Sequence, residues 1–161
     1  MIKFMQALEP RFFEPGEYIF EEGEEVDEQI YIVWKDERKP INSTGNYCVG
    51  FKGNNGSVEN KYFHVKLGAK TIICGYENLF GKRAEFYYMS LMHVDAYGMR
   101  KCKLRPILDE EPEFNKQISQ YTLEFYHKIV RTPMLEFKEK LYQKWASKNK
   151  KGSEAMVNEV Q

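Results

Sequence analysis

Turn-forming residues cut the chain between positions 11 and 100 into short β-prone runs, and this rhythm constrains the fold more than any other feature. The runs lie at 11–13, 18–20, 29–34, 46–51, 61–67, 71–74, 85–91 and 92–100. Pro15-Gly16 suits a type II turn, with proline at the first central position and glycine at the positive φ of the second. Residues 21–25 make a second turn with a charged rim, 35–40 a polar loop ending in proline, and 52–57 a loop with hairpin chemistry. The run 29–34 is the most β-prone and is predicted to be buried on both faces. The predicted fold class is therefore α+β: an antiparallel β-roll, jelly-roll-like with about eight strands, followed by C-terminal helices.

Helical spacing frames this β region. Residues 1–8 read as the end of a linker helix stopped by Pro10, and 104–111 as a short helix closed by Pro112. In 113–130, Ile118, Tyr121, Phe125 and Ile129 fall on one predicted packing face. Pro133 is expected to break that helix. Met134, Phe137, Leu141 and Trp145 then form an apolar stripe on an amphipathic helix at 132–147. No strand is left for it to cover, so it is expected to dock on a partner or a neighbouring subunit. The stretch 148–161 has almost no apolar residues and is expected to be a disordered polar tail.

The stretch 67–91 carries the chemistry. Gly75 leads a strand into a helical turn at 76–80, and Lys82-Arg83 follow. Glycine there lets backbone approach a ligand, exposed N–H groups favour an anion, and arginine adds a bidentate grip on phosphate. By spacing alone, a hairpin with a surface arginine is the favoured reading. Cys74-Gly75-Tyr76 and Arg83-Ala84 resemble the phosphate-binding cassette of the cyclic-nucleotide-binding domain, where Phe-Gly-Glu precedes a helical turn and an arginine with a small neighbour. Residues 13–23 resemble that family's opening turn and second strand, 30–34 its third strand, and 94–101 with 104–114 its last strand and following helix. The resemblance covers roughly residues 8–130 and implies a domain at 9–131. It implies cyclic AMP or cyclic GMP as ligand, contacted by Gly75, Tyr76, Glu77, Arg83 and Ala84. In the family the arginine holds the cyclic phosphate and the glutamate bonds the ribose hydroxyl. Here Tyr76 stands in place of that glutamate. Losing a charge-assisted bond costs on the order of 1.5–3 kcal/mol, roughly ten- to a hundredfold in affinity.

That departure, with segments 78–88 and 97–101, is similar to the cytoplasmic domains of voltage-gated potassium channels of the ether-à-go-go and plant-channel type. Many members of that group keep the fold and bind nucleotide poorly. The resemblance implies a gating or assembly module, with the channel pore domain or the neighbouring subunits of a tetramer as partners, and a membrane only through a tethered channel domain. Arg83 would then pair with a carboxylate such as Glu77 or Glu85. The rival is a cyclic-AMP or cyclic-GMP sensor, as in a protein kinase regulatory subunit, with Tyr76 accepting the ribose. A soluble scaffold is a third class if Met1 is the genuine start.

Composition excludes several alternatives. Lysines and arginines number 24, as do aspartates and glutamates, so there is no global basic field for nucleic acid. No apolar run reaches membrane-spanning length, and the start lacks a signal peptide's core, which predicts a cytoplasmic setting. Three widely spaced cysteines predict reduced thiols. Residues 42–44 and 55–57 match glycosylation triplets that carry no meaning in the cytosol. Glu14, Glu17, Glu21, Glu22, Glu24 and Glu25 read as a solvated rim, and His64, His93 and His127 lack partners at metal-ligand spacing. Phe86, Tyr87, Tyr88 and Tyr97 read as barrel core and strand surface, and Cys74 as a small core residue. With no nucleophilic triad, Walker loop or dinucleotide fingerprint, neither catalysis nor a cofactor is expected. Arg100, Lys101, Lys103 and Arg105 make a basic strip, read as a solvated strand end or a contact with anionic lipid or an acidic partner.

Overall fold

A computed structural model describes residues 2–32, 46–55, 58–68 and 70–159. Among these, eight strands pair antiparallel in two four-stranded sheets, as the turn-bounded rhythm predicts. One sheet runs β1 (Glu9–Phe13), β8 (Val94–Arg100), β3 (Glu28–Ile32), β6 (Ile72–Ile73). The other runs β2 (Tyr18–Phe20), β7 (Tyr87–Ser90), β4 (Tyr47–Asn55), β5 (Val58–Leu67). Their inner faces enclose a core that includes Phe20, Ile30, Tyr47, Phe51, Ile73 and Phe86. The central strand β3 keeps Gln29, Ile30 and Ile32 buried and Tyr31 half-buried, close to the two-faced burial predicted for that run. Phe86, Tyr87 and Tyr88 are buried and Tyr97 is exposed, which matches their reading as core and strand surface. The end of that run at 33–34, the expected loop at 35–40 and the Asn42 triplet lie outside the described residues.

The hairpin β4–β5 is longer than its sequence suggests. Pairing continues to Asn55↔Val58, through most of the stretch expected to be a loop. A bulge between Val49 and Gly50 turns the long ribbon across the roll. No side chain fits at Gly50, because a Cβ there would collide with the Tyr62 carbonyl oxygen and the Tyr87 ring.

A second apolar cluster builds the helical end. α1 (Ile2–Ala7) and α3 (Lys101–Glu110) pack around Met99, Leu104, Leu108 and Ile118, and Phe4 meets Tyr31 and Phe114 edge to face. Glu9 fastens this end to the sheet by accepting from Arg11 at 3.2 Å and Lys103 at 2.8 Å, with Arg100 at 3.3 Å. The hydrogen bonds from Lys103 and Arg11 hold its carboxyl down to about 2. α3 begins three residues before the predicted helix, and Pro106 sits inside it.

The C-terminal helices form one continuous rod, where two helices and a tail were expected. α4 (Pro112–Phe125) passes through a π-helical segment (Tyr126–Arg131) into α5 (Thr132–Glu159). Pro133 does not end the helix. The wide turn closes with an i→i−5 bond, from Thr132 N–H to the His127 carbonyl, so the ring two residues into α5 meets an already loosened ladder. The buried face differs from the expected one already within α4. Ile118, Thr122, Tyr126, Val130 and Met134 are buried, at steps of four, whereas Tyr121 and Ile129 of the expected face are exposed and Phe125 is half-buried.

α5 packs on its own domain, contrary to the expectation of an external partner. Met134 is fully buried, and Phe137 and Leu141 cover the core cluster. Phe137 stacks on His64 at 4.7 Å, Trp145 packs on Tyr62 at 5.3 Å, and the Lys138 ammonium lies 5.0 Å over the Phe51 ring. The surface it covers, at Phe51, Tyr62 and His64, lies on strands the sequence predicts, but alternation alone does not say that this face needs a cover. The stretch 148–161, expected to be disordered, continues α5 to Glu159; its lysines and glutamates are good helix formers and no proline interrupts them. Among the described residues, no helix is long and apolar enough to cross a membrane.

Candidate functional site

Strand β6 delivers the chain to Cys74, which adopts the left-handed region at φ 58°, and the short helix α2 (Gly75–Leu79) starts there. α4 presses directly on this start: a Cβ at Gly75 would lie 2.7 Å from Thr122 Cγ2 and 3.0 Å from Ile72 Cγ2. That is the close approach that glycine permits. Here it admits a helix of the same chain. Beneath, Gln29 Nε2 donates to the Gly75 carbonyl at 3.5 Å, and the Tyr31 hydroxyl donates to Gln29 at 2.6 Å.

Tyr76, in the place of the family's glutamate, stacks face to face on Tyr126 from the wide turn, with centroids 4.4 Å apart and planes within 9°. Tyr126 is 5% exposed. Its hydroxyl donates to Glu85 Oε2 at 2.5 Å, and Arg131 Nε donates to the same oxygen at 3.0 Å. Burial, reinforced by that hydrogen bond, pushes the Tyr126 phenol up. The space bounded by Tyr47, Gly75, Glu77, Tyr88, Thr122 and Tyr126 is about 10 Å³. That is no more than one water occupies.

Glu77 turns inward. Its residue is 2% exposed, and Tyr88 donates to Oε1 at 2.9 Å. Burial pushes the Glu77 carboxyl above its ordinary value of 4.5 and raises the neighbouring Cys74 thiol and Tyr88 phenol. A carboxyl whose pKa is higher in the folded state favours folding when protonated. The unfavourable term sets in as pH rises through 4.5 and levels off above the folded value. Glu77→Gln is therefore expected to raise the melting temperature at pH 7 relative to wild type. Thermal melts across pH should show the gap closing below about 4.5; a gap that persists or grows in acid contradicts a strained buried carboxylate.

Arg83 and Ala84 sit apart from this closed space. Arg83 forms an isolated bridge with Glu25, donating from Nη2 to Glu25 Oε1 at 2.7 Å and from Nη1 to the Gly23 carbonyl at 3.1 Å. Both side chains are exposed, 65% and 79%. Ala84 is buried beneath them, its N–H donating to the Glu24 carbonyl. The expected partners of Arg83 are both engaged elsewhere: Glu77 faces Tyr88, and Glu85 holds Tyr126 and Arg131. The acidic turn at 21–25, read as a solvated rim, supplies the partner instead.

Of the residues singled out in the sequence, Gly75, Tyr76 and Glu77 line one space, and Arg83 and Ala84 do not. Tyr88, Glu85 and Tyr126 were missed as members of the site. Tyr126 carried a signal, since it continues the step of four from Ile118 and Thr122, but that face includes a threonine and a purely apolar stripe passes it by.

The sequence matches no protein-family model and none of the curated proteins. Solved structures do resemble the fold. The N-terminal domain of a transcriptional regulator from Streptomyces coelicolor A3(2) superposes with a TM-score of 0.58 at 16% identity, covering 79% of this chain and 80% of that one. A cyclic nucleotide-binding-like protein from Brucella abortus gives 0.52 at 17% identity, over 67% and 81%. The C-linker/CNBHD of zELK channels, crystallized in the presence of cAMP, gives 0.53 at 16%, over 80% of this chain and 56% of that one. The architecture is that of cyclic-nucleotide-binding domains.

Proposed function

We propose that this chain is a regulatory domain whose nucleotide position is filled from within, serving as a cytoplasmic gating or assembly module of a potassium or cyclic-nucleotide-gated type of channel. The observation that supports it is the Tyr76–Tyr126 stack, which leaves about 10 Å³ beside the cassette. Gly75, Tyr76 and Glu77, the residues that would meet a nucleotide, are instead committed to Thr122, Tyr126 and Tyr88. α1 is the end of a linker helix to the next part of the channel. It leaves Ile2 and Met5 exposed beside its contact with α3, and neighbouring subunits of a tetramer are its expected partners.

One observation favours the alternative, a cyclic-AMP or cyclic-GMP sensor. The Arg83–Glu25 pair is solvent-exposed, where an ion pair is worth little, and a phosphate could displace the carboxylate. Calorimetric titration of the unmodified domain separates the two. The channel-type reading expects binding of either nucleotide no tighter than about the high micromolar range. Micromolar or tighter binding that Arg83→Ala destroys would establish the sensor instead. Tyr76→Glu alone is expected to restore little, because Tyr126 still occupies the space.

A further inference from the structure

The outer face of the sheet β1-β8-β3-β6 carries a row of apolar residues. Side chains directly opposite on neighbouring strands share a face, and the register places Pro10 beside Tyr97, Tyr97 beside Tyr31, and Tyr31 beside Ile72. Val94 and Ala96 point into the core, so Tyr97 points out. Phe12 joins the row two residues past Pro10 and projects, 72% exposed. On the far side of Tyr97 the helices rise over the same face, since Phe4 of α1 packs edge to face on both Tyr31 and Phe114. There Phe4, Met5, Tyr31, Ile72, Phe114 and Tyr121 line an open cleft of about 750 Å³.

Area and shape say what covers this face. Ile2, Met5, Phe12, Tyr97 and Tyr121 are each 41–74% exposed and together leave about 500 Å² of apolar surface, the upper end of what a lone domain shows. Two copies joined through it would remove about 1,000 Å² from water, which reaches the size of a specific interface. The projection at Phe12 and the recess beside α1 lie on one face, on either side of Tyr97. A two-fold axis lying in that face between them therefore seats the Phe12 of each copy at the cleft of the other. That self-complementarity is what an isologous contact requires. β1 is an edge of its sheet, and Pro10 within it opposes pairing strand to strand, which leaves the face. We propose that the outer face of β1-β8-β3-β6, with α1, joins two copies of this chain in a symmetric dimer centred near Tyr97. The pairing does not rest on the channel reading, because it stands on this face whatever the cassette holds.

Sedimentation velocity of the whole chain, from about micromolar to about millimolar protein, tests the pairing. The expected result is a monomer–dimer equilibrium with its midpoint inside or below that range. Phe12→Glu and Met5→Glu, at exposed positions on the two sides of the contact, should each weaken it at least tenfold. Phe63→Glu, on β5 of the other sheet, should leave it unchanged. Thermal melts check that each variant keeps the fold; if Met5→Glu melts low, Phe12→Glu decides alone. Asp95, opposite Phe12, would approach the other copy's Glu111 at the cleft, so added salt should strengthen the dimer by screening like charges. A monomer throughout the range would overturn the proposal, as would a dimer indifferent to Phe12→Glu. A dimer that salt dissolves would also overturn it, and would assign the contact to the lysines of α5 and the acidic turns. So would a monomer that sediments with phosphatidylcholine vesicles through Phe12, since the face would then belong to a lipid surface.

Discussion

Met134→Ala should lower the melting temperature by roughly 5–15 °C, and deletion from Thr132 onward should lower it further still. Met134 is fully buried beneath the wide turn, and truncating a buried methionine costs about 2–5 kcal/mol. In a domain of this size each kcal/mol moves the midpoint by about 2–4 °C. The deletion removes Phe137, Leu141 and Trp145 as well, so it uncovers Phe51 and Tyr62 on the long hairpin. Differential scanning calorimetry of both variants decides the matter. A deletion variant that melts like wild type would mean that α5 only rests on the hairpin and belongs functionally to another surface.

The second large effect is expected at Tyr126. Tyr126→Ala removes a ring that is stacked on Tyr76 and almost completely buried, which costs about 3–5 kcal/mol. Tyr126→Phe keeps the ring and removes only the bond to Glu85. Its cost should be about 1 kcal/mol, because Glu85 is partly exposed and keeps Arg131. Urea denaturation of the pair therefore separates packing from hydrogen bonding. Equal losses would place the stabilisation in the hydroxyl, and the stack would then be incidental.

Tyr126 also marks where the sequence stopped being readable. Strands were legible because turn residues such as Pro15-Gly16 punctuate them and because side chains alternate along them, as in β8. Gly75 and Arg83 stood out because glycine and arginine carry distinctive chemistry. The partners of those residues did not, since Arg83 meets Glu25 across fifty-eight positions and nothing local announces it. The helical rod misled for a different reason. An apolar stripe of regular period selects Tyr121, Phe125 and Ile129, whereas the buried face runs through Thr122, a polar residue, to Tyr126 and Val130. Pro133 was the available clue: a proline followed by undiminished helical periodicity calls for a loosened ladder just before it. The docking of α5 was hidden because nothing local pairs its stripe with Phe51, Tyr62 and His64, some seventy to ninety positions earlier.

The wide turn has a geometric consequence for everything after it. Successive residues on an α-helix are about 100° apart around the axis, so one residue inserted into the ladder sets the azimuth of the whole downstream rod. Were residues 126–131 to tighten to regular α-helix, α5 would be offset by about that angle. Met134 would leave its socket, and Phe137 and Trp145 would swing off the hairpin together. The ring that fills the cassette, Tyr126, is the first residue of that turn. One backbone segment therefore both presents the ring that stacks on Tyr76 and sets the bearing of residues as distant as Glu159, roughly 40 Å along the axis from Thr132.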